Sequence, residues 1–278
     1  MSVRIYSGSL PGDLTHENED AVWASPEAAL IVDGATPLQA GVGLGSPAAN
    51  FVRRLVGRLQ GTLTPGINLQ DAVLDARDVL GQEGETPDLA STSLALVTIE
   101  KGRLRYLVIG DCCLAHVSQD GTIRMVRDET VPRLDDAVAL QVRGLQEDGL
   151  SYEAAVARCL PDLRRNRAQT TGDGGHALSS LPGQVPQILT GETSWRSGDQ
   201  VLLCSDGFAR LVDLFRVFPD FGSLAVAVRQ EGVEPMVGRL RQIEARDRQC
   251  LQYPRLKISD DASAVLLTDV TFDAHTTP

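Results

Sequence analysis

The sequence predicts an α+β fold in which antiparallel sheets are covered by pairs of helices. Three observations carry that prediction. Period-two apolar segments lie next to one another and are joined by turn-forming residues, as at Lys101-Gly102 and Asp120-Gly121. Segments of helical spacing also come in pairs. The strand–helix alternation of a parallel sheet is missing, and the order reads strands, two helices, strands, an insertion, a strand, two helices and a strand.

Taken in order, residues 3–7 read as a strand and 8–18 as a loop. Residues 21–24 and 28–32 read as a hairpin with Ser25 and Pro26 near its turn. A Gly- and Pro-rich loop over 34–47 contains Gly41, Gly43 and Gly45, which miss the GxGxxG register. Phe51, Val52, Leu55, Val56 and Leu59 then fall on one helical face, and Leu69, Ala72, Val73, Ala76 and Leu80 on another. After a loop around Pro87, residues 93–99, 104–109, 114–117 and 122–126 read as one meander. Residues 128–186 read as a flap-like insertion on a single domain spanning 1–278. It carries a helix near 152–160, a basic cluster and the run Gly172-Asp173-Gly174-Gly175, which no Gly-Lys-Ser/Thr follows. Residues 201–204 form a buried strand, 221–230 and 235–251 two helices, and 262–268 the last strand. No repeat or low-complexity tract interrupts this order.

Composition bounds the function. With 26 Lys and Arg against 37 Asp and Glu, the net charge is −11. That excludes a general affinity for nucleic acid or anionic membrane, both of which need basic surface. Aromatics are only 4%, so aliphatic residues must fill the core. The first ten residues lack a signal-peptide pattern, and no apolar run approaches the ~18 residues of a membrane span, so a cytoplasmic protein is expected. The five cysteines, Cys112, Cys113, Cys159, Cys204 and Cys250, have no CxxC spacing and read as reduced, buried thiols.

One pattern recurs along the chain. Apolar strands run into Asp33-Gly34, Gly110-Asp111 and Ser205-Asp206-Gly207, while Glu19-Asp20 and Asp260-Asp261 stand immediately before strands. A single Asp-Gly pair reads as an ordinary turn. Five carboxylate sites at strand ends are different, because gathered together they would repel one another and resist desolvation. A hard divalent cation such as Mn²⁺ or Mg²⁺ is the natural compensator. The histidines at 16, 116, 176 and 275 show no zinc-ligand spacing.

The segments Asn18-Glu19-Asp20, Asp33-Gly34, Gly110-Asp111, Ser205-Asp206-Gly207 and Asp260-Asp261, in that order, resemble the motifs of the PPM-type (type 2C) metal-dependent serine/threonine phosphatases. Ser91-Thr92-Ser93, Gly198-Asp199 and Ser263 agree with that texture. The resemblance implies a four-layer αββα sandwich with a two-ion Mn²⁺ or Mg²⁺ centre between the sheets. By that resemblance Asp33 bridges both ions and the Gly34 carbonyl binds one. Asp206 and Asp260 complete the first ion's ligands, and Glu19 and Asp20 act near the second. Asp111 with Asp206 matches a weaker third position. Catalysis would run through water activated at Asp33 and Asp206, with a phosphorylated protein as substrate and a serine/threonine kinase as counterpart.

The pattern is not complete. Where the family carries a phosphate-gripping arginine, this chain has Thr15, and no arginine occurs between Arg4 and Arg53. Arg164, Arg165 and Arg167 in the insertion are the candidates for that task, since a guanidinium offers phosphate a bidentate fork. Ala35 stands where some relatives have a histidine, leaving His16 and His176 as alternatives. Asp261 replaces a common asparagine and adds charge near a metal ligand. Two other readings stay open on the same scaffold: a phosphoprotein-binding module without efficient turnover, and a small-molecule phosphatase.

Overall fold

The computed structural model describes residues 2–35, 46–64, 66–83 and 90–270. Along the chain run β1 (Ser2–Leu10), β2 (Asp20–Ala24), β3 (Ala28–Ala35), α1 (Pro47–Thr62), α2 (Leu69–Gln82), β4 (Ser91–Glu100), β5 (Arg103–Ile109), β6 (Cys113–Val117) and β7 (Ile123–Val126). They are followed by α3 (Thr130–Glu147), α4 (Tyr152–Thr170), β8 (Leu178–Ser179), β9 (Leu189–Ser194) and β10 (Gln200–Cys204). Helices α5 (Asp206–Asp213), α6 (Phe221–Glu231) and α7 (Val233–Arg246) lead to β11 (Ala262–Val270). The first sheet has the order β1-β11-β10-β6-β7 and the second β2-β3-β4-β5-β9, with β8 beside β4.

The strands read as continuous apolar runs because both faces of each sheet are covered. In β3, Ala29 and Ile31 point between the sheets, where they meet Val97, Val108, Val201, Leu203, Val265 and Leu267. Leu30 and Val32 point outward onto Phe51, Leu55 and Leu59 of α1 and Val73 and Leu80 of α2. In β10 the alternation repeats: Leu202 and Cys204 pack outward against Phe208, Leu224, Met236 and Leu240. Two helix layers and two sheets therefore make the αββα sandwich. All five cysteines are buried and unpaired. Among the described residues no helix is long and apolar enough to cross a membrane.

Several sequence expectations change. The expected single meander is divided: β4 and β5 belong to one sheet, β6 and β7 to the other, and the chain crosses between them at residues 110–112. Gly8 does not end the first strand; a Cβ there would sit 3.0 Å from Val233 Cγ1, so the glycine lets α7 lie against β1. The last long helix stops at Arg246, where Asp247 turns to caps and ion pairs. The glycines at 41, 43 and 45 and the loop at Pro87 lie outside the described residues.

The segment after β7 is a helical hairpin, of which only part was legible. Helix α3 was missed because it buries just Val138, Ala139 and Val142, a narrow stripe in a polar helix. Helix α4 continues through Pro161 to Thr170, so the basic cluster is helical. The hairpin sits on the loop after α7. Val138, Val142, Tyr152, Ala155 and Cys159 pack with Cys250, Leu256 and Ile258. Gln146 Nε2 donates to the Gln249 carbonyl at 2.8 Å, and Tyr152 Oη to that of Arg255 at 3.3 Å.

Arg255 holds that loop in shape. Its guanidinium donates to Asp247 Oδ2 and to the carbonyls of Asp247, Tyr253 and Ile258. Both members of the pair are buried, so Arg255→Ala strands a desolvated carboxylate. The expected cost is about 3–5 kcal/mol, read as a lower urea midpoint. A loss under about 1 kcal/mol, the range of an exposed pair, would show that the loop is held by other contacts.

Candidate metal centre

Strand register places the acidic residues at one end of the sandwich. On neighbouring strands Asp20 lies directly opposite Asp33, a like-charge pair that is unfavourable without a compensating cation. Cys204 lies between Cys113 and Ala264, so Asp206, Asp111 and Asp260 emerge at the same end. Two glycines make the approach possible. A Cβ on Gly34 would lie 2.8 Å from the Glu19 carbonyl and 2.9 Å from Val52 Cγ2. Gly110 has φ +73°, and a Cβ there would meet Ser93 Oγ at 2.1 Å. This turn carries Asp111, whose N–H donates to Ser93 Oγ at 3.3 Å.

Electrostatics records the crowding. Burial pushes Asp33 well above the usual carboxylate range, and Asp20, Asp206, Asp111 and Asp260 push it further. Asp20 is also raised well above that range, chiefly by burial; Ser263 opposes the shift while Asp261, Asp206 and Asp260 add to it. Asp111 is raised to about 7 by burial and Asp206, against hydrogen bonding from Ser93. Asp20 Oδ2 is buried with no hydrogen-bond partner among the described residues.

Asp260 is different, because the chain supplies its counter-charges. Lys257 Nζ lies 2.6 Å from Oδ1, and Arg210 Nη2 lies 2.8 Å from Oδ2. Burial alone would raise this carboxyl, but Lys257 and Arg210 hold it below its ordinary value. As the side chains stand, no three Asp, Glu, His or Cys groups among the described residues converge to hold an ion. The donor set nevertheless fits a hard divalent cation. Its donors are oxygens, Asp20 offers an unpartnered one, and Asp33 feels four other carboxylates. Mg²⁺ characteristically keeps several waters and few direct carboxylates, which suits groups close enough to couple but not to touch.

A cleft of about 60 Å³ opens beside these residues, ample for several waters. Asp33, Ser93 and Asp111 line it from the sheet, and Asp135, Arg167 and Thr171 from the hairpin and the loop behind it. Thr171 Oγ1 is buried without a hydrogen-bond partner among the described residues. Asp135 is raised to about 6 by burial and Asp206, while Arg167 and Lys257 pull it down.

The other expected site residues fall as follows. Glu19 accepts a hydrogen bond from Ser46 Oγ, the N-cap of α1. Arg164 and Arg165 are exposed on α4 outside the cleft lining, and Arg165 pairs with Asp162 at 2.8 Å. His16 is exposed beside Asp13 and Thr15. His176 Nδ1 lies 2.6 Å from Asp128 Oδ2, near the Gly110 turn. Asp261, expected to add charge near a metal ligand, accepts the N–H groups of Gly12 and Glu19 with its oxygens at 2.8 and 2.7 Å, stapling the loop before β2.

Asp135, Arg210 and Lys257 were not anticipated. Arg210 follows Asp206 by four residues, so reading α5 as a helix places both on one face. That helix is only eight residues long and opens on an Asp-Gly pair, which looks like turn chemistry.

Comparison with known proteins agrees with this geometry. The family described as Protein phosphatase 2C matches residues 13–243. No curated protein matches the chain. Among solved structures the chain is similar to the catalytic domain of the serine/threonine protein phosphatase PstP in complex with 2 manganese ions. The TM-score is 0.59 at 20% identity, covering 97% of this chain and 99% of that one. It is also similar to MsPP, a PPM Ser-Thr phosphatase from Mycobacterium smegmatis in complex with cacodylate (TM-score 0.54, 18% identity, 95% and 97% covered). A third is PppA, a regulatory component of the T6SS in Pseudomonas aeruginosa (TM-score 0.53, 17% identity, 96% and 98% covered). The structural likeness at such identities speaks for the fold, and the family match spans most of the sequence. The chain is a member of the protein phosphatase 2C family.

Proposed function

We propose that the chain is a metal-dependent phosphatase acting on phosphoserine and phosphothreonine in proteins, the counterpart of a serine/threonine kinase. The observation that carries this reading is the Asp20–Asp33 cross-strand pair, joined electrostatically to Asp111, Asp206 and Asp260 at one end of the sandwich. Family membership and the similarity to serine/threonine phosphatases support it. Asp33, Asp206 and Asp260, with the Gly34 carbonyl, would hold one Mn²⁺ or Mg²⁺ ion. Asp33, Asp20 and Glu19 would hold a second, and Asp111 with Asp206 a weaker third. When bound, the ions supply Lewis-acid chemistry and activate water for attack at phosphorus. Arg167, on the cleft wall, orients the phosphate, while the α3–α4 hairpin acts as the flap that selects the substrate.

The pairing of Asp260 with Lys257 and Arg210 favours one competing reading, a phosphoprotein-binding module without turnover. Kinetics with p-nitrophenyl phosphate and with phosphoserine and phosphothreonine peptides separates the two. Turnover that needs Mn²⁺ or Mg²⁺ and disappears with EDTA is expected. Arg167→Ala should raise KM about tenfold, with a smaller change in kcat. Tight metal binding with no turnover on any of these substrates would overturn the phosphatase reading.

A further inference from the structure

Two cations of this chain meet Asp260, and they are held in different ways. Arg210 is locked. Its side chain is 12% exposed, and besides Asp260 it faces Glu244, with Nη1 3.6 Å from Oε1. Glu244 is 1% exposed and is shared with Arg241, so moving Arg210 would disrupt a buried charge network.

Lys257 is the opposite case. Its side chain is 59% exposed, and its ammonium carries three donors on a flexible stem. The backbone beneath it is fixed by the buried Arg255, two residues before, which donates to Asp247 and to the carbonyls of Tyr253 and Ile258. A rigid base thus presents a flexible point charge at the carboxylate end of the sandwich, against Asp260. Arg210 also faces Asp260, so that carboxylate keeps a counter-charge when Lys257 turns away. Asp135, on the cleft wall beside Arg167, is pulled down by both Arg167 and Lys257, so the field of Lys257 acts at that wall.

We propose that Lys257 grips the substrate phosphate, reaching it from the loop after α7 while Arg167 reaches it from α4, and rests on Asp260 when no anion is present. The inference rests on the phosphatase reading given above. It fits the chemistry of the site: a cation that can turn toward an incoming phosphate dianion adds to the charge that bound ions and Arg167 supply, and a lysine serves as such a point charge.

Calorimetric titration of orthophosphate into the Mn²⁺-loaded full chain tests it directly. Lys257→Ala is expected to weaken orthophosphate binding about tenfold or more, and Lys257→Arg to recover most of the loss. KM for p-nitrophenyl phosphate should rise in step, with kcat changed less than about threefold. An unchanged melting temperature checks that the exposed substitution leaves the fold intact. Mn²⁺ affinity without phosphate should hold or tighten, because an ammonium competing for Asp260 is gone. Unchanged orthophosphate affinity in Lys257→Ala overturns the proposal, and so does a loss of Mn²⁺ affinity large enough to account for weaker phosphate binding. A wild-type protein that binds orthophosphate through Lys257 yet hydrolyses no phosphate ester would remove the phosphatase reading and leave this inference standing.

Discussion

Asp33→Asn is expected to lower kcat on p-nitrophenyl phosphate by about 10³-fold and, in EDTA, to raise the melting temperature. The two effects have one origin. Asp33 lies opposite Asp20 and feels Asp206, Asp111 and Asp260, so its charge is crowded from several sides. An amide of the same shape removes that repulsion from the metal-free protein. It also removes the ligand around which the others gather, so Mn²⁺ should no longer stabilise the variant as it does the wild type. A variant that keeps most of its kcat would take Asp33 out of the reaction centre. A metal-free melting temperature that falls would show that the charge is compensated by the fold itself.

The second large effect is a stability profile that changes sign with metal. Asp111 titrates near 3.8 when unfolded and near 7 when folded, and Asp135 near 6. Below about 3.8 both states are protonated. Between there and about 7 the folded chain keeps protons that the unfolded chain has released, so stability falls as pH rises. Above that range the penalty of these two groups is fully present, while Asp20 and Asp33, also raised, act in the same direction. The carboxylates held low, such as Asp128, Asp247 and Asp260, act only below their ordinary range, so the windows do not overlap.

The metal-free protein should therefore melt lower at pH 8 than at pH 5. Asp111→Asn should gain a few kcal/mol at pH 8 and almost nothing near pH 4. Saturating Mn²⁺ at pH 8 should raise the melting temperature by roughly 5 °C, the linkage expected near 100 times Kd. A metal-free melting curve that rises from pH 5 to pH 8 would mean that the acidic cluster is neutralised without an ion.

Much of this was legible in the sequence. Alternating apolar residues named nearly every strand of the two sheets, and helical spacing named α1, α2, α6 and α7. What escaped was weakly amphipathic or short: α3 buries three residues, α5 has two turns, and β9 is an edge strand largely exposed along its length. The split of the meander also escaped, because period two reports that a segment is a strand and not which sheet receives it.

For the site the division is the same. The sequence by itself determined which residues bear carboxylates at strand ends, because an apolar run followed by Asp and Gly is a local pattern. Only the tertiary structure decided that Asp20 faces Asp33, that Asp261 is used on the backbone of Gly12 and Glu19, and that Arg210 and Lys257 meet at Asp260. Those are contacts between segments as many as 249 residues apart in the chain. They depend on how two sheets and a loop stack, and charge–charge energies follow distance in space rather than separation in sequence.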